Sequence, residues 1–265
     1  MMLIRRVVKA MLIFCICLGF LVLGFSVQIG CLPLPQFRSR LRARCMRLWA
    51  MLVCRVLGLH VMVAGALRQS AQRGDFFIVS NHISYVDIIV LARVLTVSFL
   101  SKHEVKMWPI LGWLAYFAGS VFVNRESRNS VMPALQEIAE RMAHGVSVVV
   151  FPEGTTSDGL RLLEFKSTFF ELPVKAGRPV LPIAIRYLSV DGRRIPVDES
   201  PPIAWFGDAA LASNVWQLLG MRELVVRVGA AEPIFFAESA GVNRKVLAHE
   251  ARARVAEAYW MPGDR

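Results

Sequence analysis

A histidine followed five residues later by an aspartate is the feature of this chain that could do chemistry. His82 and Asp87 lie in the heptapeptide NHISYVD, directly after the apolar run at residues 76–79. A neutral imidazole that is held by a carboxylate can take a proton from a hydroxyl near pH 7. Transfer of an acyl group to an alcohol requires this step.

The spacing of the two residues constrains how they can meet. On an ideal helix, a step of five residues would leave them roughly 140° apart, so they cannot share one helix face. Ser84 and Asp87 match a capping box, which predicts that a helix starts at Tyr85 and that His82 lies outside it, able to turn back toward Asp87. The spacing alone is equally compatible with a purely structural role, in which Asp87 only caps the helix and His82 only packs, and with catalysis by the pair.

A second polar stretch, FPEGTTS at residues 151–157, also follows a strand-like run, at residues 146–150. Glu153, Gly154 and Thr155 are typical of a tight turn whose exposed amides and hydroxyl can bind a polar group. Two polar stretches at the ends of two buried strands predict one active site.

These sites lie within alternating strand and helix patterns. Alternation of this kind predicts an α/β fold, with a mixed, mostly parallel sheet flanked by helices. The predicted strands are at 75–79, 97–100, 121–123, 147–151, 180–187 and 224–228, and the predicted helices are at 84–95, 108–118, 130–144, 168–176 and 243–259.

The positive charge of the chain is confined to its N-terminal quarter. The net charge is +11, yet no acidic residue precedes Asp75, and the residues from there onward carry equal numbers of basic and acidic side chains. A nucleic-acid-binding domain would carry the excess itself, so this class is disfavoured. Basic residues beside an apolar segment are instead attracted to anionic lipid headgroups, by about 1 kcal/mol each.

That apolar segment is the uncharged stretch at residues 10–37, which is long enough to span or enter a bilayer. No small-x-small cleavage site follows, which favours a retained anchor over a signal peptide. Residues 47–59 predict an amphipathic helix that could lie in the membrane interface. We therefore predict a membrane-anchoring helical region at residues 1–67 and a catalytic domain at residues 68–265.

Four motifs in order resemble those of the glycerolipid acyltransferase family, which is typified by bacterial 1-acyl-glycerol-3-phosphate acyltransferases. They are NHxSxxD at residues 81–87, GSVFVNR at 119–125, FPEGT at 151–155 and VLPI at 180–183. The resemblance identifies residues 68–265 as a glycerolipid acyltransferase domain. It also implies the bacterial inner membrane as the location, with this domain facing the cytoplasm.

The resemblance implies that His82, oriented by Asp87, is a general base. The deprotonated acceptor would attack the acyl thioester directly, with no acyl-enzyme and no metal or cofactor; the co-substrate would be acyl-CoA or acyl carrier protein. Backbone amides at the start of the helix after His82 are expected to stabilise the oxyanion.

The resemblance also implies a set of acceptor-binding residues: Asn124, Arg125, Glu153, Gly154, Thr155 and Lys166. Arg125 corresponds to the arginine that binds the acceptor's phosphate, and a guanidinium suits that geometry; the alternative is a surface arginine after a strand. Lys166 is equally well read as a second phosphate ligand or as an ordinary lysine at a helix start.

Thr156 departs from the family pattern, because many members have arginine there. The continuation TSDG at residues 156–159 resembles the branch that acylates lyso-ornithine lipid. We expect 1-acyl-glycerol-3-phosphate as acceptor and phosphatidic acid as product, with lyso-ornithine lipid as the alternative. A non-catalytic lipid-binding membrane protein is the alternative of another class. The expected partners are the lysolipid, the thioester donor (including acyl carrier protein) and an anionic membrane surface.

Overall fold

The structure, a computed structural model, describes residues 1–65, 67, 76–124, 128–236 and 243–260, and of residues 128–132 it describes the backbone alone. Arg125 lies outside the described residues, as does Asp75 at the predicted start of the first strand.

The strands among these residues form one mixed, mostly parallel sheet, which confirms the predicted fold class. Their order across the sheet is β1-β8-β6-β2-β5-β3-β4, and β7 pairs with the end of β6. Strand β6 runs antiparallel to β8 and β7, and the other pairs are parallel. The strands are β1 (Leu59–Gly65), β2 (Phe77–Ser80), β3 (Val97–Lys102), β4 (Val121–Val123), β5 (Ser147–Val150), β6 (Val180–Val190), β7 (Arg193–Arg194) and β8 (Leu224–Ala230).

The centre of the sheet is covered on both faces. Every residue of β2 and of β5 is buried, as expected for parallel strands between two layers of helices. Val79 of β2 stands beside Val150 of β5 in the register. The two polar stretches that follow these strands therefore leave the sheet side by side.

The helices lie around this sheet and before it. They are α1 (Met2–Gly30), α2 (Pro35–Leu57), α3 (Val86–Val94), α4 (Leu111–Phe117), α5 (Arg128–Ala143), α6 (Glu171–Ala176), α7 (Leu211–Gly220) and α8 (Arg244–Tyr259), with 3-10 helices at His103–Met107 and Ser167–Phe170. The predicted helix at 168–176 is thus divided into a 3-10 turn and α6. Sequence patterns missed α7, β1 and the two-residue strand β7.

Helix α1 is long and apolar enough to cross a membrane by length and composition, and 17% of its most apolar stretch is buried. It is nonetheless tied to the rest of the fold. The Lys9 ammonium donates hydrogen bonds to the carbonyls of Leu57 and Met221, both at 2.8 Å. Farther along, a Cβ added to Gly24 would lie 2.6 Å from Cβ of Phe117, so α1 and α4 pack closely there.

The region predicted to be a helical anchor is not helical throughout. Helix α2 begins earlier than the predicted amphipathic helix at 47–59 and ends before Gly58, whose φ of +77° closes the helix. Leu59 then begins β1, which pairs with β8 in the sheet. The domain boundary between residues 67 and 68 stays a prediction, but the N-terminal region contributes a strand to the sheet.

Candidate active site

His82 and Asp87 are in direct contact. His82 leaves the sheet just after β2, and its Nδ1 lies 2.9 Å from Oδ2 of Asp87. The backbone N–H groups of Ile83 and Ser84 donate to the same oxygen, at 2.7 and 2.9 Å. The loop between strand and helix therefore wraps around one carboxylate oxygen.

The helix start differs in detail from the predicted capping box. Tyr85 is the N-cap and α3 begins at Val86, one residue later than predicted. Asp87 accepts from the Ser84 N–H as a capping box requires. The Ser84 hydroxyl instead faces the Val86 N–H at 3.4 Å. Asp87, in the first turn of α3, thus holds both the loop before the helix and the His82 ring.

Four amides at this helix start already donate hydrogen bonds. Those of Ile83 and Ser84 donate to Asp87, and those of Val86 and Asp87 donate to oxygens of Ser84. The expectation that such amides bind the oxyanion is therefore wrong for these four, because each already serves to build the turn.

Tyr187, which sequence reasoning missed, completes the surroundings of Asp87. Its hydroxyl donates to Asp87 Oδ1 at 2.6 Å, and the exposed fractions of the two residues are 2% and 0%. Burial, first of all, and the neighbouring Asp87 raise the pKa of Tyr187 well above its ordinary value, so the phenol keeps its proton. A tyrosine in the middle of β6, shortly after the apolar run at residues 180–185, was the available signal, since buried phenols need a partner.

The third motif packs against the histidine ring. Phe151 stacks on His82 with the ring centroids 3.9 Å apart and the planes 10° from parallel. The Ser157 N–H donates to the His82 carbonyl at 2.8 Å. Among the described residues Nδ1 is the hydrogen-bonded ring nitrogen, and 17% of the His82 side chain is exposed. The ring is thus held through Nδ1, with Nε2 unbonded among the described residues.

Glu153 is a second buried carboxyl group, with an exposed fraction of 2%. Within the described part of the chain, no hydrogen bond of normal geometry reaches either oxygen. Burial is the main cause that raises its pKa to about 8, and the Asp87 charge acts in the same direction. Nearby backbone N–H groups of His82 and Leu163 and the Arg252 charge oppose the shift. At pH 7 the neutral acid therefore predominates in the unliganded protein.

Lys166 lies over the turn that contains Glu153. Gly154 has φ of +78°, and a Cβ there would come within 2.8 Å of the Lys166 ammonium. The backbone N–H of Lys166 donates to Pro152 O at 2.9 Å and precedes the 3-10 helix at 167–170. Lys166 thus starts a helix and also brings an exposed cation to the turn. Its position is compatible both with an ordinary lysine at a helix start and with a second phosphate ligand. Thr155 is exposed beside it.

Asn124 lies at the same edge of the sheet but farther away. It follows β4, which is separated from β2 by β5 and β3, and at ~4.8 Å per strand this places the two chain exits roughly 14 Å apart. The structure therefore brings together His82, Asp87, Glu153 and the Lys166 ammonium. It leaves Asn124 at the rim of the group.

A histidine held by a carboxylate and a polar turn thus lie together at the carboxyl edge of a mostly parallel sheet. Comparison with known proteins identifies the class of protein to which this arrangement belongs. The family model described as Acyltransferase matches residues 62–186. The lyso-ornithine lipid O-acyltransferase of Rhizobium meliloti (strain 1021) is 38% identical over 83% of this chain and 75% of its own. The chain belongs to the glycerolipid acyltransferase family.

Other relatives carry a different acceptor in their names. The 1-acyl-sn-glycerol-3-phosphate acyltransferase of Neisseria meningitidis serogroup B is 36% identical over 57% of this chain and 57% of its own. The crystal structure of the 1-acyl-sn-glycerophosphate acyltransferase from Thermotoga maritima matches with a TM-score of 0.62 at 22% identity, over 98% of this chain and 99% of that one. That likeness establishes the shared fold. The protein is an acyltransferase of the lysophospholipid type.

Proposed function

We propose that the protein transfers a fatty acyl group to the free hydroxyl of a lysolipid. In this proposal His82, held by Asp87, is the general base that takes the proton of that hydroxyl. The observation that carries this proposal is the 2.9 Å contact between His82 Nδ1 and Asp87 Oδ2. Because the carboxylate accepts the Nδ1 proton, Nε2 is left with its lone pair. A base of this kind contributes typically 10²–10⁴-fold to a rate.

The transfer needs no acyl-enzyme. His82 Nε2 accepts the proton of the acceptor hydroxyl while that oxygen bonds to the thioester carbonyl carbon. The carbon–sulfur bond then breaks, and the leaving thiolate takes the proton back from Nε2. The ester and the free thiol are the products, and His82 returns to its starting state. This balance requires neither a metal nor a cofactor, so acyl-CoA or acyl carrier protein is the proposed co-substrate.

The acceptor that we propose is a lyso-ornithine lipid. Thr156 stands where many family members carry a phosphate-binding arginine, and the relative with that activity in its name matches 83% of this chain. 1-Acyl-glycerol-3-phosphate, with phosphatidic acid as product, is the second candidate. The Neisseria relative favours it, as do the retained Arg125 and the Lys166 ammonium over the third-motif turn.

Membrane association follows from α1 and from the charge around it. Helix α1 exposes large apolar side chains along its length, among them Phe14, Val22 and Phe25. Helix α2 exposes Arg44 and Arg47 without a neighbouring acid in sequence. We propose attachment to the bacterial inner membrane, with the catalytic domain on the cytoplasmic side where thioester donors are made. Anionic lipid and an acidic carrier protein are both complementary to this basic surface.

One assay separates the candidates. Membranes from cells that express the protein are given labelled acyl-CoA and, side by side, lyso-ornithine lipid and lysophosphatidic acid. We expect preferential labelling of ornithine lipid, which His82→Ala membranes should not show. Preferential labelling of phosphatidic acid would favour the second candidate. Transfer to neither acceptor, with either acyl-CoA or acyl carrier protein as donor, would contradict both and favour lipid binding without catalysis.

A further inference from the structure

We infer that Tyr187 is a positioning residue for the reaction, whose hydroxyl holds Asp87, and through it His82, in the working arrangement. This inference rests on the proposed role of the histidine as base. The contact that carries it is the 2.6 Å hydrogen bond from the Tyr187 hydroxyl to Asp87 Oδ1.

The two oxygens of Asp87 have different partners. Oδ2 accepts from three groups of its own loop: the His82 ring and the amides of Ile83 and Ser84. Among the described residues the partner of Oδ1 is the Tyr187 hydroxyl, which comes from β6. The exposed fraction of Asp87 is 0%, so water cannot replace this donor at the surface. Tyr187 is therefore the link that fixes the carboxylate to the sheet.

A second contact joins the same loop to the same strand. The Asn81 side chain donates to the Ile185 carbonyl at 2.9 Å and accepts from the Ile185 N–H at 2.8 Å. Tyr187 lies two residues farther along β6, so it points to the same face as Ile185. The loop that contains His82 is thus attached to β6 on both sides of the histidine.

The hydroxyl matters chemically rather than for packing. A phenylalanine would fill nearly the same volume, and its ring would remain as buried as that of Tyr187. What it would remove is the donor that shares the negative charge of a fully buried carboxylate. Without that donor, Asp87 attracts a protonated His82 ring more strongly. The ring then releases a proton less readily, which hinders its function as a base.

Other titratable groups face this pair and stay in place in Tyr187→Phe. They are Glu153 of the third-motif turn, Tyr85 at the start of α3, Cys54 of α2 and Tyr259 at the end of α8. The pKa of Glu153 is raised to about 8 by burial, so the alkaline side of an activity profile includes its ionisation. The acid side is therefore the side to compare.

The test is Tyr187→Phe in the full-length protein in membranes, assayed with the preferred acceptor from pH 5 to 9. We expect kcat to fall about 10-fold with little change in KM, since the lost hydrogen bond to a charged group acts on the base and not on the acceptor. We expect the acid-side pH of half-maximal rate to rise by about one unit.

Tyr259→Phe is the matched control. Tyr259 is also buried, and its hydroxyl donates to the Gly159 carbonyl instead of Asp87. This variant also loses a buried hydroxyl and its hydrogen bond, and should keep the wild-type acid-side profile. If Tyr187→Phe alters thermal stability but leaves kcat and the profile unchanged, the residue is structural and the inference is wrong.

Two further variants separate this inference from the proposal beneath it. A His82→Ala protein that keeps near wild-type activity overturns the base assignment itself, whatever Tyr187→Phe does. An inactive His82→Ala together with an unchanged Tyr187→Phe overturns the positioning role alone. If Tyr187→Phe does not fold, Asp87→Asn/Tyr187→Phe should fold again, because the uncompensated charge is gone; failure of the double variant to fold would also overturn the inference.

Discussion

Two carboxyl groups lie buried side by side in the candidate active site, and the protein treats them in opposite ways. Asp87, in the first-motif loop, accepts hydrogen bonds from an imidazole, two amides and a phenol. Glu153, in the third-motif turn, is almost as buried and receives no hydrogen bond of normal geometry from the residues that the structure describes. Burial alone would disfavour the charge on either group.

The surroundings of Asp87 are complete before substrate arrives, and those of Glu153 are not. The donors around Asp87 compensate for its burial, so it can hold His82 in one tautomer. Glu153 receives no comparable hydrogen bonds from the described residues, and burial raises its pKa to about 8. The His82–Asp87 pair is therefore preorganised, whereas the Glu153 carboxyl in the turn beneath Lys166 lacks hydrogen bonds of normal geometry from the described residues. We interpret that turn as the place where the acceptor's headgroup supplies them.

Changing each carboxyl group to an amide should affect kcat very differently at Asp87 and at Glu153, and Asp87→Asn should have the larger effect. Asp87→Asn puts a neutral group where three donors converge on one oxygen, so the His82 ring loses its orienting acceptor and the imidazolium its counter-charge. We expect kcat to fall by roughly 10³–10⁴, as for the equivalent change in a catalytic triad. Steady-state kinetics of the purified variant give the number. A loss below tenfold in a folded protein would show that Asp87 is mainly a helix cap.

Arg125→Ala tests the predicted binding of the acceptor headgroup and leaves His82 and Asp87 in place. We expect KM for lysophosphatidic acid to rise about 10–100-fold, as expected for loss of a charge-assisted contact, with kcat little changed. KM for lyso-ornithine lipid should change far less, since that acceptor has no phosphate. Kinetics with both acceptors on one preparation check this. Equal effects on the two acceptors would contradict the phosphate assignment.

Glu153→Gln should have the smallest effect on rate, less than about tenfold, because the neutral acid predominates at pH 7 and an amide can also donate. The main effect of Glu153→Gln should be on the pH dependence of the free energy of unfolding. The folded carboxyl has a pKa of about 8 against 4.5 ordinarily, so its contribution is full at low pH and is lost as pH rises through 8.

Thermal unfolding of wild type and Glu153→Gln, measured in parallel at pH 6 to 9, tests that sign. The Tm of the wild type relative to the variant should fall as the pH rises. The corresponding loss of free energy of unfolding is on the order of a few kcal/mol. A constant difference in Tm across this range would mean that Glu153 is already ionised and that the contrast with Asp87 is wrong.

Sequence patterns predicted much of this arrangement because the parts involved are local. The strand runs that end before Asn81 and Phe151 are short, apolar and bounded by polar motifs, so the sheet edge and its two loops could be placed. The turn of His82 back to Asp87 followed from helix geometry.

What the sequence could not reveal depends on contacts between distant segments. Tyr187 is a hundred residues from Asp87 along the chain and reaches it only through the pairing of β2 with β6. Leu59–Gly65 resembles a continuation of the preceding helix until its pairing with β8 is known. The same holds for Glu153, since its missing partners become visible only when its burial is known.

The central claim is that His82 is the base, and its direct test is the single-residue loss. Purified His82→Ala, with His249→Ala as a control for loss of an exposed histidine on α8, is assayed at saturating acceptor and donor. We expect His82→Ala to lower kcat by roughly 10²–10⁴ with unchanged thermal unfolding. His249→Ala should be as active as wild type. A folded His82→Ala protein that transfers acyl groups at near the wild-type rate would contradict it.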